Sequence, residues 1–230
     1  MSRALPLVLS TSDLPHPELL AARLDGELFG VGWGFCPVDE ILSPLHRAFL
    51  VTRGMPERLI PEQLSAAWIW GALDAPPEQP QFCVRLNARV GHPTSGAMQV
   101  REVVLEDSEL AVLGRLSVTS PLRTAVDLAR FSSRWTNHER RILGRLMTVG
   151  SFDRSDVEAY LDTRPKLPAK RLARSRIQNV RPTQPDLSLA GVDAVHVVDR
   201  VNASHGVEHA IEVRGVAHLE DKAAERETLV

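Results

Sequence analysis

The spacing of apolar residues changes along the chain, and each spacing predicts a different kind of element. Apolar residues that recur every three or four positions predict amphipathic helices. These helices are predicted over 12–24, 43–54, 61–71, 120–130, 140–149, 153–161, 169–180 and from about 217 to the end. Alternating or short apolar runs predict strands over 28–36, 82–86, 98–105, 110–118, 194–201 and 208–213. This mixture of helices and strands predicts an α+β fold.

The first predicted strand combines large apolar side chains with glycines. Phe29, Val31, Trp33 and Phe35 alternate with three glycines, a period of two that is typical of a strand or of one arm of a hairpin. We expect the four large side chains to share one apolar face. The glycines on the other face would permit close approach of another backbone.

The clearest helix start lies at residue 120. Ser120 is placed to accept a capping hydrogen bond, and Pro121 occupies the first helical position, where its missing N–H costs nothing. Thr136 and Glu139 form the pattern of a capping box before the next predicted helix. These signals predict two consecutive helices after the last strand of the middle region.

Composition places the chain among ordinary globular proteins, with 43% hydrophobic and 24% charged residues. No apolar run approaches the roughly 20 residues of a membrane-spanning helix, and the start is too short for a signal peptide. Cys36 and Cys83 form no CxxC pair, so we expect two buried thiols, with a single disulfide as the open alternative. These features predict a cytoplasmic protein.

The net charge of −2 conceals a strongly basic segment. Residues 1–80 and 182–230 each carry a net charge of −5, whereas residues 164–181 contain seven basic side chains and no acidic one. The seven are Arg164, Lys166, Lys170, Arg171, Arg174, Arg176 and Arg181. Uncompensated cations neutralise phosphates, which favours a nucleic-acid interface. An acidic protein partner, or pairing with the protein's own carboxylates, would also account for these seven side chains. The nucleic-acid hypothesis requires that the protein's own carboxylates do not neutralise them.

Two segments resemble signatures of the AbiEi-type antitoxins and transcriptional regulators of actinobacteria, which belong to abortive-infection, type IV toxin–antitoxin systems. Residues 64–71 contain Trp68 and Trp70, and residues 118–130 contain Ser120, Pro121, Arg123 and Asp127. The resemblance covers about residues 10–180. It implies an N-terminal winged helix that binds the operon's own promoter DNA, and a functionally linked nucleotidyltransferase toxin.

The predicted winged helix departs from a typical DNA-reading module. Residues 19–35 resemble the second helix and wing of the family, but the helix offers His16, Glu18 and Arg23, and the module is acidic. Base and phosphate contacts usually come from Arg, Lys, Asn or Gln. Retention and loss of DNA binding by this module therefore both remain open.

The signature residues also have structural interpretations. We expect Trp70 to lie in the core and Trp68 to be partly covered, although two tryptophans would also suit base stacking. Arg123 and Asp127, four residues apart, could be a functional pair, but the spacing favours a surface ion pair that stabilises the helix by about 0.2–0.5 kcal/mol.

The C-terminal segment resembles part of the restriction-endonuclease-like domain of the very-short-patch-repair type. The match covers about residues 193–230, with Asp199, Glu212 and His218 at the family's site positions and Arg214 where an aspartate is usual. The resemblance implies that Asp199 and Glu212 would hold Mg²⁺ in a metal-dependent endonuclease. Arg214 in place of the usual aspartate favours an inactive remnant of the endonuclease. The sequence predicts Mg²⁺ only for the endonuclease alternative and no cofactor otherwise.

The sequence therefore predicts four regions: a degenerate winged-helix-like module at 1–40, an AbiEi-like α/β domain with helical bundle at 41–163, a basic helical connector at 164–181, and an endonuclease-like hairpin and helix at 182–230. The leading hypothesis is an antitoxin-type transcriptional regulator that binds DNA without catalysis. The alternatives are a metal-dependent endonuclease and a non-enzymatic interaction protein that has lost DNA binding.

Overall fold

The computed structural model describes residues 8–32, 34–86 and 98–183. The chain divides into two units, 1–194 and 195–230, and every described residue belongs to the first. The helices of the described residues are α1 (His16–Leu24), α2 (Pro44–Thr52), α3 (Gln63–Ile69), α4 (Pro121–Phe131), α5 (Asn137–Val149), α6 (Arg154–Asp162) and α7 (Lys170–Ile177). The strands are β1 (Leu28–Val31), β2 (Gly34–Pro37), β3 (Ile60–Pro61), β4 (Gln81–Arg85), β5 (Gln99–Val103), β6 (Leu110–Leu113) and β7 (Leu116–Thr119). The α+β fold is confirmed.

The N-terminal part consists of α1 followed by an antiparallel hairpin of β1 and β2. Leu28 packs with Leu9 and Leu19, and Phe35 lies against this cluster. The other face of the hairpin approaches α2 so closely that a Cβ at Gly34 would lie 2.6 Å from Leu50 Cδ2. Helix and hairpin thus form a small core that continues toward α2.

The expectation of one apolar face over 28–36 is wrong. The chain reverses between β1 and β2, so Phe35 pairs with Gly30, whereas Phe29 pairs with Cys36. Opposite residues of an antiparallel pair share a face, and the reversal therefore places Phe29 and Phe35 on different faces. Both faces are partly covered.

The middle of the chain forms two small sheets. β4 lies between β3, to which it is antiparallel, and β5, to which it is parallel. β6 and β7 form a hairpin over 110–119, where one continuous strand was predicted, because Gly114 adopts φ +62° at the turn. The start of α4 follows β7 directly and is capped as predicted, with Ser120 Oγ accepting from the Arg123 N–H at 3.3 Å.

The C-terminal helices of the described chain pack around α4, which contacts α3, α5 and α7. Cys36 and Cys83 are buried free thiols, as expected, and burial raises the pKa of Cys36 to about 11. The four-region division stays a prediction. None of the helices in the described ranges is long and apolar enough to cross a membrane.

Candidate functional site

One side of α4 carries a buried row of charges. Arg123, Asp127 and Arg130 follow one another at i, i+4 and i+7, the spacing of a single helix face. Asp127 accepts hydrogen bonds from Arg123 Nε at 2.9 Å and from Arg130 Nη1 at 2.7 Å. All three side chains are at most 5% exposed. This is far from the surface ion pair that the Arg123–Asp127 spacing suggested.

Arg101 of β5 connects this row to Glu62, the residue before α3. Arg101 donates from Nε to Glu62 Oε1 at 2.6 Å and from Nη2 to Oε2 at 2.5 Å, a bidentate arrangement. The same guanidinium reaches Asp127 at 3.4 Å. Glu62 is only 2% exposed, and its burial raises its pKa even though Arg101 acts in the opposite direction.

Glu109 is the third buried carboxylate of the network. It lies 2.8 Å from Arg123 Nη1 and 3.1 Å from Arg164 Nη2, and it accepts a hydrogen bond from the Tyr160 hydroxyl. Burial alone would raise its pKa, but the hydrogen bonds from Tyr160 and the Glu106 backbone, with the two arginines, lower it overall. Glu109 is therefore held in its ionised form.

A pocket of about 540 Å³ opens over this network. Its cationic lining comes from Arg101, Arg123, Arg130, Arg164 and Lys166. Apolar and acidic side chains complete the wall, namely Val103, Val104, Phe131, Pro165, Leu167, Pro168, Glu102, Glu106 and Glu109. The guanidinium carbons of Arg101 and Arg130 lie 4.3 and 4.4 Å from the centroid of the Phe131 ring, within cation–π range.

Two largely buried guanidiniums in the pocket lining have N–H groups that make no hydrogen bond within the described part of the chain. Arg123 uses Nε and Nη1, and Arg130 bonds Asp127 through Nη1 and the Pro168 carbonyl through Nε at 2.8 Å. Their Nη2 groups make no hydrogen bond to any residue within 8–32, 34–86 or 98–183. Neither Nη2 atom is fully buried, so both reach solvent at the pocket, where they can donate to water or to a ligand.

The predicted basic segment divides into paired and unpaired side chains. Arg164 bonds Glu106 at 2.8 Å, and Lys170 lies 3.5 Å from Asp162. Arg174 meets Glu158 and the same Asp162, both at 2.6 Å. The hydrogen bond from Arg174 is the main cause of the lowered pKa of Asp162. Three of the seven cations are thus neutralised by carboxylates of the protein itself.

The remaining members of the segment have different surroundings. Arg176 donates to the carbonyls of Ala129 and Ser132, both at 3.0 Å, and lies 5.0 Å from the Trp135 ring centroid, so it caps the end of α4. Three further side chains are exposed and form no ion pair with the described part of the chain, namely Lys166, Arg171 and Arg181.

Exposed cations without ion pairs extend beyond that segment. Residues 131–183 carry twelve basic and five acidic side chains, a net charge of +7. Besides the three just named, the exposed basic residues that make no ion pair with described residues are Arg134, Arg140, Arg141 and Arg154. The backbone of Arg181 lies against α5, because Thr183 N donates to the Gly144 carbonyl at 3.0 Å. We call these seven side chains the basic surface: Arg134, Arg140, Arg141, Arg154, Lys166, Arg171 and Arg181. They lie on or beside α5, α6 and α7.

The aromatic signature residues have structural positions. Trp68 and Trp70 are 2% and 1% exposed, so the expectation that Trp68 is partly covered is wrong. Trp70 Nε1 donates to the Thr119 carbonyl at 2.9 Å, which ties α3 to the end of β7. Neither ring is available for base stacking in this conformation.

The endonuclease candidates Asp199, Glu212 and His218, together with Arg214, lie outside the described residues. Within the described ranges no group of three or more His, Cys, Asp or Glu side chains is placed to hold a metal ion. The Mg²⁺ alternative therefore stays a prediction from the sequence.

Sequence reasoning missed most of the buried network. Glu62, Arg101, Glu109 and Tyr160 come from separate elements, and no local spacing connects them. Arg130, by contrast, follows Asp127 by three positions on α4. One signal was present: Arg123, Asp127 and Arg130 are spaced at i, i+4 and i+7, which places three charges on one face of α4.

No family model matches the chain, and a comparison with curated proteins found no match. Among solved structures, the chain is similar to the RV2827C protein of Mycobacterium tuberculosis, with 16% sequence identity over 78% of each chain and a TM-score of 0.31. A TM-score of this size does not establish a shared fold, and the likeness carries no argument about function.

Proposed function

We propose that the protein is a cytoplasmic, antitoxin-type transcriptional regulator that binds DNA without catalysis. The observation that carries the DNA-binding part is the set of seven exposed cations without ion pairs among the described residues of 131–183. The antitoxin part rests on the likeness of residues 64–71 and 118–130 to AbiEi-type signatures. The DNA would be the protein's own promoter, and a nucleotidyltransferase toxin would be its functional counterpart.

Electrostatics favours the helical part over the N-terminal part as the DNA-binding surface. Residues 1–80 carry a net charge of −5, and residues 131–183 carry +7. Each phosphate neutralised by a lysine or arginine releases counterions, which supplies most of the nonspecific affinity. Arg164, Lys170 and Arg174 already bind carboxylates, so they contribute less than Lys166, Arg171 and Arg181.

The α1–hairpin module would have a secondary role. Arg23 is its exposed basic residue on α1, and Glu18 lies on the same short helix. A single arginine beside an acidic surface supplies little phosphate affinity. In this proposal, the module orients the protein or contacts a partner.

The test compares two double variants with the same change in net charge. Arg171→Gln with Arg181→Gln removes two unpaired cations from the basic surface. Arg58→Gln with Arg115→Gln removes two exposed arginines from other parts of the molecule. Binding to a labelled duplex from upstream of the gene is measured by fluorescence anisotropy at low salt. We expect a loss of about tenfold or more for the first pair and little change for the second.

Two results would decide against the proposal. Equal losses in both double variants would mean that only net charge matters. Absence of binding by the unmodified protein at low salt would remove the DNA-binding role altogether. A separate Arg23→Gln variant reports on the N-terminal module, where we expect a smaller loss than for the Arg171 and Arg181 pair.

A further inference from the structure

We propose that the pocket over the α4 charges binds a small organic anion, with its carboxylate or phosphate group against Arg123 and Arg130 and its apolar body against the pocket wall. The inference does not depend on DNA binding, because the basic surface and the pocket share only Lys166.

The charge balance at the pocket floor leaves room for an anion. Four arginines (101, 123, 130 and 164) meet three buried carboxylates, those of Glu62, Glu109 and Asp127. Arg164 also meets Glu106 at 2.8 Å, so the excess of one positive charge counts the buried carboxylates alone. The residues that line the pocket carry five basic and three acidic side chains. Lys166, Glu102 and Glu106 also line the pocket, and the two carboxylates are exposed to solvent, which screens their repulsion.

Hydrogen-bonding geometry selects the same ligand chemistry. The Nη2 groups of Arg123 and Arg130 are unpaired within the described ranges, and both side chains are 5% exposed. An oxyanion accepts from guanidinium N–H groups in pairs, whereas a neutral amide offers one acceptor of lower charge. Asp127 fixes both guanidiniums from behind, so the donors are already oriented before a ligand arrives.

The remaining wall suits an apolar body. Val104 is 74% exposed and Phe131 is 40% exposed at the pocket, and Leu167 and two prolines complete the wall. A pocket of about 540 Å³ lies within the range of roughly 300–1,000 Å³ that is typical of small-molecule sites. Apolar walls with a few placed polar groups are the usual construction of such sites.

The probes for the test are phenyl phosphate, benzoate, inorganic phosphate and the neutral analogue benzamide, measured by isothermal titration calorimetry at low salt. We expect saturable binding of phenyl phosphate or benzoate with Kd below about 1 mM, and none of benzamide. Phenyl phosphate and benzoate distinguish a phosphate ligand from a carboxylate ligand. Inorganic phosphate binds more weakly because it lacks the apolar body.

A variant at the rim tests the location without disturbing the buried arginines. Val104→Asp adds a negative charge to an exposed position beside the pocket, and Val38→Asp makes the same change at a side chain that is 55% exposed and outside the pocket lining. We expect Val104→Asp to weaken binding about fivefold or more and Val38→Asp to leave it unchanged. Thermal unfolding of both variants verifies that they are folded.

Three outcomes would overturn the inference. The first is that neither phenyl phosphate nor benzoate binds saturably, and the second is that benzamide binds as tightly as the aromatic anions. The third is that Val104→Asp and Val38→Asp bind the aromatic anion with the same affinity. Displacement of the probe by a short DNA duplex of unrelated sequence would also overturn it, because the pocket would then hold a backbone phosphate.

Discussion

Asp127 is the residue on which the buried network depends most. It accepts from Arg123 and Arg130, lies 3.4 Å from Arg101, and is 1% exposed. Removal of one partner from a buried ionic cluster leaves uncompensated charge in the interior, which typically costs about 3–5 kcal/mol.

Asp127→Asn is therefore expected to lower the free energy of unfolding by about 3 kcal/mol or more. The matched control is Asp162→Asn, which removes an equally well-paired carboxylate from the exposed contact with Lys170 and Arg174. Urea unfolding of both variants measures the difference. A loss for Asp127→Asn no larger than that of the control would mean that the network contributes nothing beyond an exposed pair.

Glu109 makes part of the stability depend on pH. Its folded pKa is lowered, so its contribution is fully present above the unfolded value of about 4.3 and is lost as the pH falls through the folded pKa. The raised pKa of Glu62 makes the stability change with pH in the opposite direction. Comparison with the Glu109→Gln variant isolates the contribution of Glu109, because Glu62 is present in both proteins. The stability difference between the unmodified protein and this variant should shrink between about pH 7 and pH 3. Urea titrations across this range would contradict the assignment if the difference stayed constant.

Individual residues were only partly predictable from the sequence. Ser120 and Pro121 act at the start of α4 as their local pattern indicated, because capping involves neighbours within three positions. The role of Arg123 was underestimated, since its second carboxylate partner, Glu109, lies fourteen positions away on another element. Contacts of this kind depend on how elements pack, and local spacing does not carry that information.

At the scale of elements, α5 has a contact that only glycine permits. A Cβ at Gly144 would lie 2.5 Å from the Arg181 carbonyl oxygen and from Thr183 Oγ1. The absence of a side chain lets the segment after α7 lie on α5, where Thr148 Oγ1 also donates to the Thr183 carbonyl at 3.0 Å.

Gly144→Ala should displace this segment and lower the free energy of unfolding by about 1–3 kcal/mol, although alanine is the better helix former. Ser175→Ala on the exposed side of α7 serves as the control. Hydrogen exchange of the Thr183 amide provides a local readout, with faster exchange expected in Gly144→Ala. Unchanged exchange and unchanged stability would show that α5 and this segment do not pack as described.

Elements with strong end signals were predicted best. α4 begins directly after its predicted cap, Ser120, and α5 begins directly after Thr136, three residues before the predicted range of 140–149. The helix predicted over 43–54 appears as Pro44–Thr52. Strand patterns were less informative, because a period of two does not reveal a tight turn: 28–36 and 110–118 both contain a hairpin. A tight turn interrupts the alternation too briefly to be recognised as a chain reversal.

At the scale of the whole molecule, segment charge was informative but incomplete. The net charge of +7 over 164–181 ignored Glu158 and Asp162, which lie just before the segment on α6 and meet α7 in the fold. Residues 131–183 also carry a net charge of +7, but their twelve basic side chains are interspersed with five acidic ones. Within the described residues, the exposed cations that make no ion pair lie on or beside α5, α6 and α7 instead of forming one continuous row.

The most direct test of DNA binding through this surface is the salt dependence of the affinity. For the unmodified protein on duplex DNA, the logarithm of the association constant should fall linearly with the logarithm of salt concentration, with a slope of about −3 or steeper between about 50 and 200 mM. Arg171→Gln with Arg181→Gln should make the slope shallower by about two, and Arg58→Gln with Arg115→Gln should leave it unchanged. A slope near zero, or the same slope in all three proteins, would contradict DNA binding through the unpaired cations of α5–α7.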